Sequence, residues 1–251
     1  MKKLSYLNKN IACIKIATPE QPYFSINILD ETSQIIKEVN SNSEVKVVVL
    51  TGTEKYFSLG AQRETLLHSI SEGKLSSYVP QLVELLTLIN VPMIAAIEGH
   101  AIGGGLAMGL WCDMVVCAKE SLYGVNFMAL GFTPGMGSTI LLEEAFGKLL
   151  AQEMLYTGKL LKGYELKAAG VPFAHTILPR NQVLKHAYDL AFEIAQNPQD
   201  ALVLLKKNLT AIRMKNYQCY LTNEEEMHKQ VFAQQSILNT IKQNYFAEES
   251  I

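Results

Sequence analysis

A chain of 251 residues with 49% hydrophobic side chains can bury one large α/β core or two smaller ones. Its 22 Lys and Arg against 24 Asp and Glu leave a formal net charge of −2, so the basic excess of a nucleic-acid binder is missing. Cys13, Cys112, Cys117 and Cys219 form no C-x-x-C pair, and His68, His100, His175, His186 and His228 have no ligand spacing, which argues against a disulfide framework or a metal site.

The first residues, Met1 to Lys9, carry charge but lead into no apolar run of signal-peptide length, and no later stretch reaches the roughly 18 apolar residues of a membrane span. A cytoplasmic protein without a membrane partner is expected. Ile11 to Ile16 reads as a strand, and Asn27 to Asn40 as a helix with Leu29, Ile35, Ile36 and Val39 on its apolar side. Val45 to Thr51 is a nearly continuous apolar strand of the kind covered on both faces, ended by Gly52. Lys55 to Ser77 is polar and mixed, a long connection with partial helix and the expected lid. Leu82 to Leu88 reads as helix. Pro92 to Ile97 is a second buried strand, leading into Glu98-Gly99-His100-Ala101-Ile102-Gly103-Gly104-Gly105 and a helix. Met114 to Cys117 is a third, after which the glycine-rich turn Gly131 to Ser138 enters a helix near Thr139 to Phe146. From Leu149 the pattern is mainly helical, with late helices over Ala201 to Asn216 and Glu224 to Tyr245 whose apolar faces need cover. The βα-rich part ends near 190, so a core over 1–190 and a helical region over 191–251 are expected.

A strand, a tight glycine turn and a helix together leave N–H groups without intrahelical acceptors, at a helix end where partial positive charge favours a developing anion. Gly103-Gly104-Gly105 has that context. Tyr56 to Ala61 offers a second N–H after another buried strand, and two such donors on one oxygen make an oxyanion hole. Close helix–strand packing would also call for the three glycines, so neither segment decides alone.

Taken in order, Val47-Val48-Val49-Leu50-Thr51-Gly52, Phe57-Ser58-x-Gly60-Ala61, Pro92-x-Ile94-Ala95-Ala96-Ile97-x-Gly99, the triple glycine, Cys112-Asp113 and Pro134-Gly135-x-Gly137 resemble the crotonase, or enoyl-CoA hydratase/isomerase, superfamily over about residues 10–245. The resemblance implies an α/β fold of repeated ββα units, a C-terminal helical region that trimerises and closes the pocket, and homotrimers or hexamers. It also implies that the N–H groups of Ala61 and Gly104 hold the carbonyl oxygen of an acyl thioester. Gly60, Gly103, Phe127, Tyr78, Pro134 and Gly135 are then the expected substrate-binding positions.

Hydratases of that family carry carboxylates at two positions that are Ala107 and Phe127 here. Neither side chain exchanges protons, so ordinary hydration is not expected. Asp113 stands at a structural position of the family, and Glu98, Glu143 and Glu144 lie outside the matching sites. An oxyanion hole in a dry pocket without a water-activating base suits enolate formation by loss of carbon dioxide. Gly99 to Gly105, Asn126 to Met128, Gly131 to Gly137, Ala151 to Glu153 and Gly170 to Phe173 resemble the decarboxylating crotonases of polyketide β-branching.

That resemblance implies conversion of a 3-methylglutaconyl group to 3-methylcrotonyl. The handle would be phosphopantetheine of an acyl carrier protein or of CoA, with no metal or redox cofactor. It further implies a late-helix histidine that brings a proton to carbon, and a lid lysine that binds the departing carboxylate electrostatically and can also donate a proton. His228 matches the histidine, although a lone helical histidine is more often structural. Lys74 is the candidate for the lysine by proximity only: ungapped alignment puts Ser76 there, and a solvated lid lysine reads equally well. His68 and His100 stay open between pocket and packing, His100 ranking as structural. Two alternatives remain, an enoyl-CoA isomerase and a non-catalytic scaffold that binds carrier protein.

Overall fold

The computed structural model describes residues 3–73 and 75–244. The chain opens with an antiparallel pair, β1 (Lys3–Asn8) and β2 (Ile11–Lys15), followed by helix α1 (Ile28–Ser41). Three units of one plan come next, each a buried strand, a short strand of a second sheet, and helix. The first is β3 (Val47–Thr51), β4 (Tyr56–Ser58), α2 (Arg63–Ser71) and α3 (Leu75–Thr87). The second is β5 (Met93–Ile97), β6 (His100–Ile102) and α4 (Gly104–Leu110). The third is β7 (Met114–Ala118), β8 (Leu122–Gly124) and α5 (Ser138–Phe146). Then follow α6 (Lys148–Thr157), β9 (Leu161–Lys162), α7 (Gly163–Ala168), β10 (Ile177–Leu178), α8 (Arg180–Ala195), α9 (Gln199–Phe232) and α10 (Gln235–Asn244). This is the α/β arrangement of ββα units with a C-terminal helical region that the sequence predicts.

The larger sheet has the order β1-β2-β3-β5-β7-β10, parallel from β2 onward. Its inner strands β3, β5 and β7 read as continuous apolar runs because helices cover both faces. Alternate residues point opposite ways: Val47, Val49, Ile94 and Ala96 meet Val183, Ala187, Ala191 and Ala195 of α8, whereas Val48, Leu50, Ala95 and Ile97 join Ile36, Val39, Leu82 and Leu86 on the other side. The smaller sheet, β4-β6-β8-β9, begins where those strands end. Its β4 and β6 are parallel neighbours, so the segments that follow them emerge at the same end, about 4.8 Å apart. That pairing places Gly60-Ala61 beside Gly103-Gly104.

Several elements differ from the sequence reading. Strand β1 is unforeseen: most of its side chains are exposed, so no buried alternation marks it. The connection 55–77 is more ordered than expected, holding β4, α2 and the start of α3, which runs through Pro80. Short strands β9 and β10 interrupt the region expected to be helical. The gap expected at 217–223 is absent, because those residues contain neither Gly nor Pro and Tyr217 packs edge-on against Trp111; the 34-residue α9 runs through it, and the break falls inside the second expected helix, before α10. The chain turns only at residues 233–234. Position 190, the expected end of the βα-rich part, falls inside α8, whose packing on the sheet continues to Ala195. No helix among the described residues is long and apolar enough to cross a membrane.

Candidate active site

The loop after β4 is laced to residues 22–24: Phe24 N–H donates to Gly60 O at 2.7 Å, and Leu59 N–H to Pro22 O at 2.9 Å. Gly60 has φ +78°, and a Cβ there would lie 3.0 Å from Gly104 N. A side chain at position 60 would therefore wedge the two loops apart, and glycine lets their backbones meet. Gly103, with φ +58°, turns the chain into α4 while donating its N–H to Gly124 O at 2.9 Å. Gly104 opens that helix, so its N–H has no acceptor one turn back.

Ala61, Gly103 and Gly104 share the wall of one cavity, about 120 Å³ in volume, with Tyr78, Phe127, Gly135 and His228. Gly60 and Pro134, also expected to bind substrate, are not among the cavity's lining residues and only adjoin Ala61 and Gly135 in the chain. Leu66, Leu130 and Phe132 line the cavity as well, with the Phe127 and Phe132 rings 5.5 Å apart. Among the described residues the wall carries no Asp, Glu, Lys or Arg, and its titratable side chains are Tyr78 and His228. Ser25, Thr65, Ser69 and Asn126 supply its remaining side-chain polarity.

His228 reaches the cavity from α9 and is 3% exposed. Its Nε2 lies 3.1 Å from Thr133 O; a carbonyl only accepts, so the neutral ring carries its proton on Nε2 there. Burial pushes the ring's pKa below the ordinary imidazole value, against an upward pull from the Thr133 and Pro134 backbone. A Cβ at Gly135 would stand 2.5 Å from His228 Cε1, so glycine at 135 is the seat of the imidazole.

The other candidates fall elsewhere. Lys74 lies outside the described residues. His68 is exposed and pairs with Glu72 at 3.4 Å. His100 accepts the Leu122 N–H on Nδ1 at 3.0 Å and meets Tyr56 edge-on, which ties β6 to β8. Ala107 is fully buried within α4. Asp113 accepts the Met93 N–H at 2.7 Å and pairs with Lys206 at 2.8 Å, Glu144 bonds Tyr217, and Glu98 lines a separate cleft.

Three residues at the site received no role from the sequence. Met136 lines the cavity at φ +60°, with its carbonyl held by Trp111 Nε1–H at 2.8 Å. Asn126 Oδ1 lies 3.2 Å from where a Cβ on Gly103 would be. Glu224, 3% exposed, accepts N–H bonds from Gly137 at 2.6 Å and Thr139 at 2.9 Å. Its spacing of four from His228 was the available signal, since residues i and i+4 share a helix face.

The enoyl-CoA hydratase/isomerase family model matches residues 7–249. The chain belongs to that family. It is 38% identical over 222 residues to the bacillaene synthase decarboxylase PksI of Bacillus subtilis, covering 88% of each chain. A solved structure from a dehydratase/decarboxylase enzyme couple involved in polyketide β-branching superposes with a TM-score of 0.89 at 35% identity, over 98% of this chain and 99% of the other. The ECH2 decarboxylase domain of CurF from Lyngbya majuscula gives 0.84 at 36% identity, over 96% and 98%. With these similarities and a cavity wall that carries no acid among the described residues, the chain is a crotonase-family enzyme of the decarboxylating type.

Proposed function

We propose that this enzyme removes carbon dioxide from a 3-methylglutaconyl group, or a close analogue, held on the phosphopantetheine of an acyl carrier protein in polyketide β-branching. The carbon–carbon bond to the carboxylate breaks, and its electron pair passes through the conjugated chain to the thioester oxygen. The N–H groups of Ala61 and Gly104 stabilise that oxygen as the dienolate forms; one such donor is worth roughly 100-fold to 1,000-fold in rate. The terminal carbon then takes one proton, from His228 in its protonated form, to give 3-methylcrotonyl. Depression of the ring's pKa by burial makes that form a stronger acid than an ordinary imidazolium.

The observation that carries this reading is the cavity wall itself. A hydratase must activate water, and the described wall offers no carboxylate for it, whereas decarboxylation supplies its own electrons and gains from an apolar surround that disfavours the substrate carboxylate. A cavity of about 120 Å³ also suits a short branched acyl group. The polyketide setting of the similar proteins supports carrier protein over CoA as the handle.

The test is incubation with the 3-methylglutaconyl thioester on carrier protein and on CoA. Release of carbon dioxide together with 3-methylcrotonyl thioester is expected, faster on carrier protein. Migration of the double bond without carbon dioxide would make the enzyme an isomerase. Carrier-protein binding without any turnover would make it a scaffold.

A further inference from the structure

We infer that Glu224 is a positioning residue for this reaction, its carboxylate fixing where His228, one turn further along α9, meets the cavity. The inference rests on the reading of His228 as proton donor. Gly137 is the residue before α5, adopts φ +75°, and has no side chain with which to cap that helix. Glu224 supplies the cap from another helix. Its Oε2 accepts Gly137 N–H at 2.6 Å, and its Oε1 accepts Thr139 N–H at 2.9 Å and Thr139 Oγ–H at 2.6 Å.

All three partners donate, so the site is built for an acceptor-only carboxylate. Burial opposes the charge and raises the group's pKa, while these bonds draw it back. Stability alone would not call for a buried acid, since desolvating one is costly. What the acid does in addition is geometric. The turn from Thr133 to Thr139 is gripped at one end by Glu224 and at the other by His228, which faces Thr133 O and rests on Gly135. Trp111 holds the Met136 carbonyl between them. Because both grips come from one face of one helix, a shift of Glu224 moves the imidazole against the cavity wall.

The experiment is a double-mutant cycle of E224Q and H228A, read as kcat and KM for carbon dioxide release. The glutamine amide would set donors against the Gly137 or Thr139 N–H. E224Q is expected to lower kcat by about tenfold or more, as an ångström-scale misplacement does, with KM changed by less than about twofold. In the H228A background it should alter kcat by less than about twofold, because the residue it positions is gone. An equal loss in both backgrounds, or an unchanged kcat in E224Q alone, overturns the inference.

Imidazole 15N NMR of His228 gives a readout independent of turnover. An unaltered ring signal and titration in E224Q also overturn it. A shifted ring signal in E224Q, with H228A fully active, supports the positioning and removes the proton-donor assignment instead. If E224Q does not fold, E224D keeps the charge on a shorter arm and should show the same kcat loss and the same cycle.

Discussion

His228 is the buried titratable ring on the described cavity wall, and its environment sets a pH dependence with a definite sign. Burial holds the folded ring below the ordinary imidazole value, so the unfolded chain binds this proton more readily. The stability that the neutral ring contributes is complete above about pH 6.5 and is lost as pH falls from there towards the folded ring's own pKa. Tyr78 is the other titratable side chain on the described wall, and Glu224, one turn away, is displaced upward by burial and so gains stability as pH falls. Comparison of wild type with H228Q separates these effects, because glutamine does not ionise. Urea unfolding at about pH 7.5 and about pH 5 should show wild type losing more stability than H228Q. Equal losses would mean that the ring is solvated in the folded chain.

Helices and strands were legible in the sequence to the degree that burial imposes a pattern on them. Strands β3, β5 and β7 are covered on both faces and read as unbroken apolar runs, whereas β1 is mostly exposed and offered nothing to read. Helix α9 buries Leu202, Lys206, Tyr217, Glu224 and His228, and charged residues on an inward face hide its true length. The same effect hid part of the site. Ala61, Gly103 and Gly104 lie in turns with a distinctive glycine pattern, but Glu224 is the first of three consecutive glutamates, and only the phase set by His228 tells which faces inward. Met136 gave no sign at all, since its left-handed backbone is imposed from outside through Trp111. Helix α8 shows what a small-residue pattern is for: Ala187, Ala191 and Ala195 recur every four residues and bring the helix close to the sheet. Substituting Ala191 by Leu should cost about 1–3 kcal/mol in chemical denaturation through overpacking, with kcat unchanged because α8 does not reach the cavity wall. A fall in kcat of the folded variant would show instead that the sheet transmits strain to the loops after β4 and β6.

At the scale of the whole molecule, α9 has a second apolar face. Leu205, Leu209 and Ile212 follow one another at helical spacing and are 56%, 50% and 51% exposed, with Leu204 beside them and Tyr220 two turns on. A monomer rarely leaves such a stripe in water, and the trimers or hexamers that the sequence resemblance implies are the assembly expected to cover it. Light scattering of the wild type should give three or six chains; a monodisperse monomer would refute this. Replacing Leu205 and Leu209 together by Glu should shift the assembly to monomers, because two charges cannot be buried in an apolar contact without partners. The same helix carries Glu224 and His228 on its inner face, where Lys206 pairs with Asp113 and Arg213 donates to the Leu110 and Trp111 carbonyls. Those bonds anchor the first half of α9, at residues 206 and 213, to its own core whether or not a neighbour is present, and leave the half that carries Glu224 and His228 dependent on its surroundings. The monomeric variant should therefore keep its fold by circular dichroism but lose carbon dioxide release in proportion to the loosening of α9, and hydrogen exchange along residues 217–232 would register that loosening directly. Full activity in a proven monomer would show that the grips of Glu224 and His228 on the Thr133–Thr139 turn suffice to keep the imidazole in place.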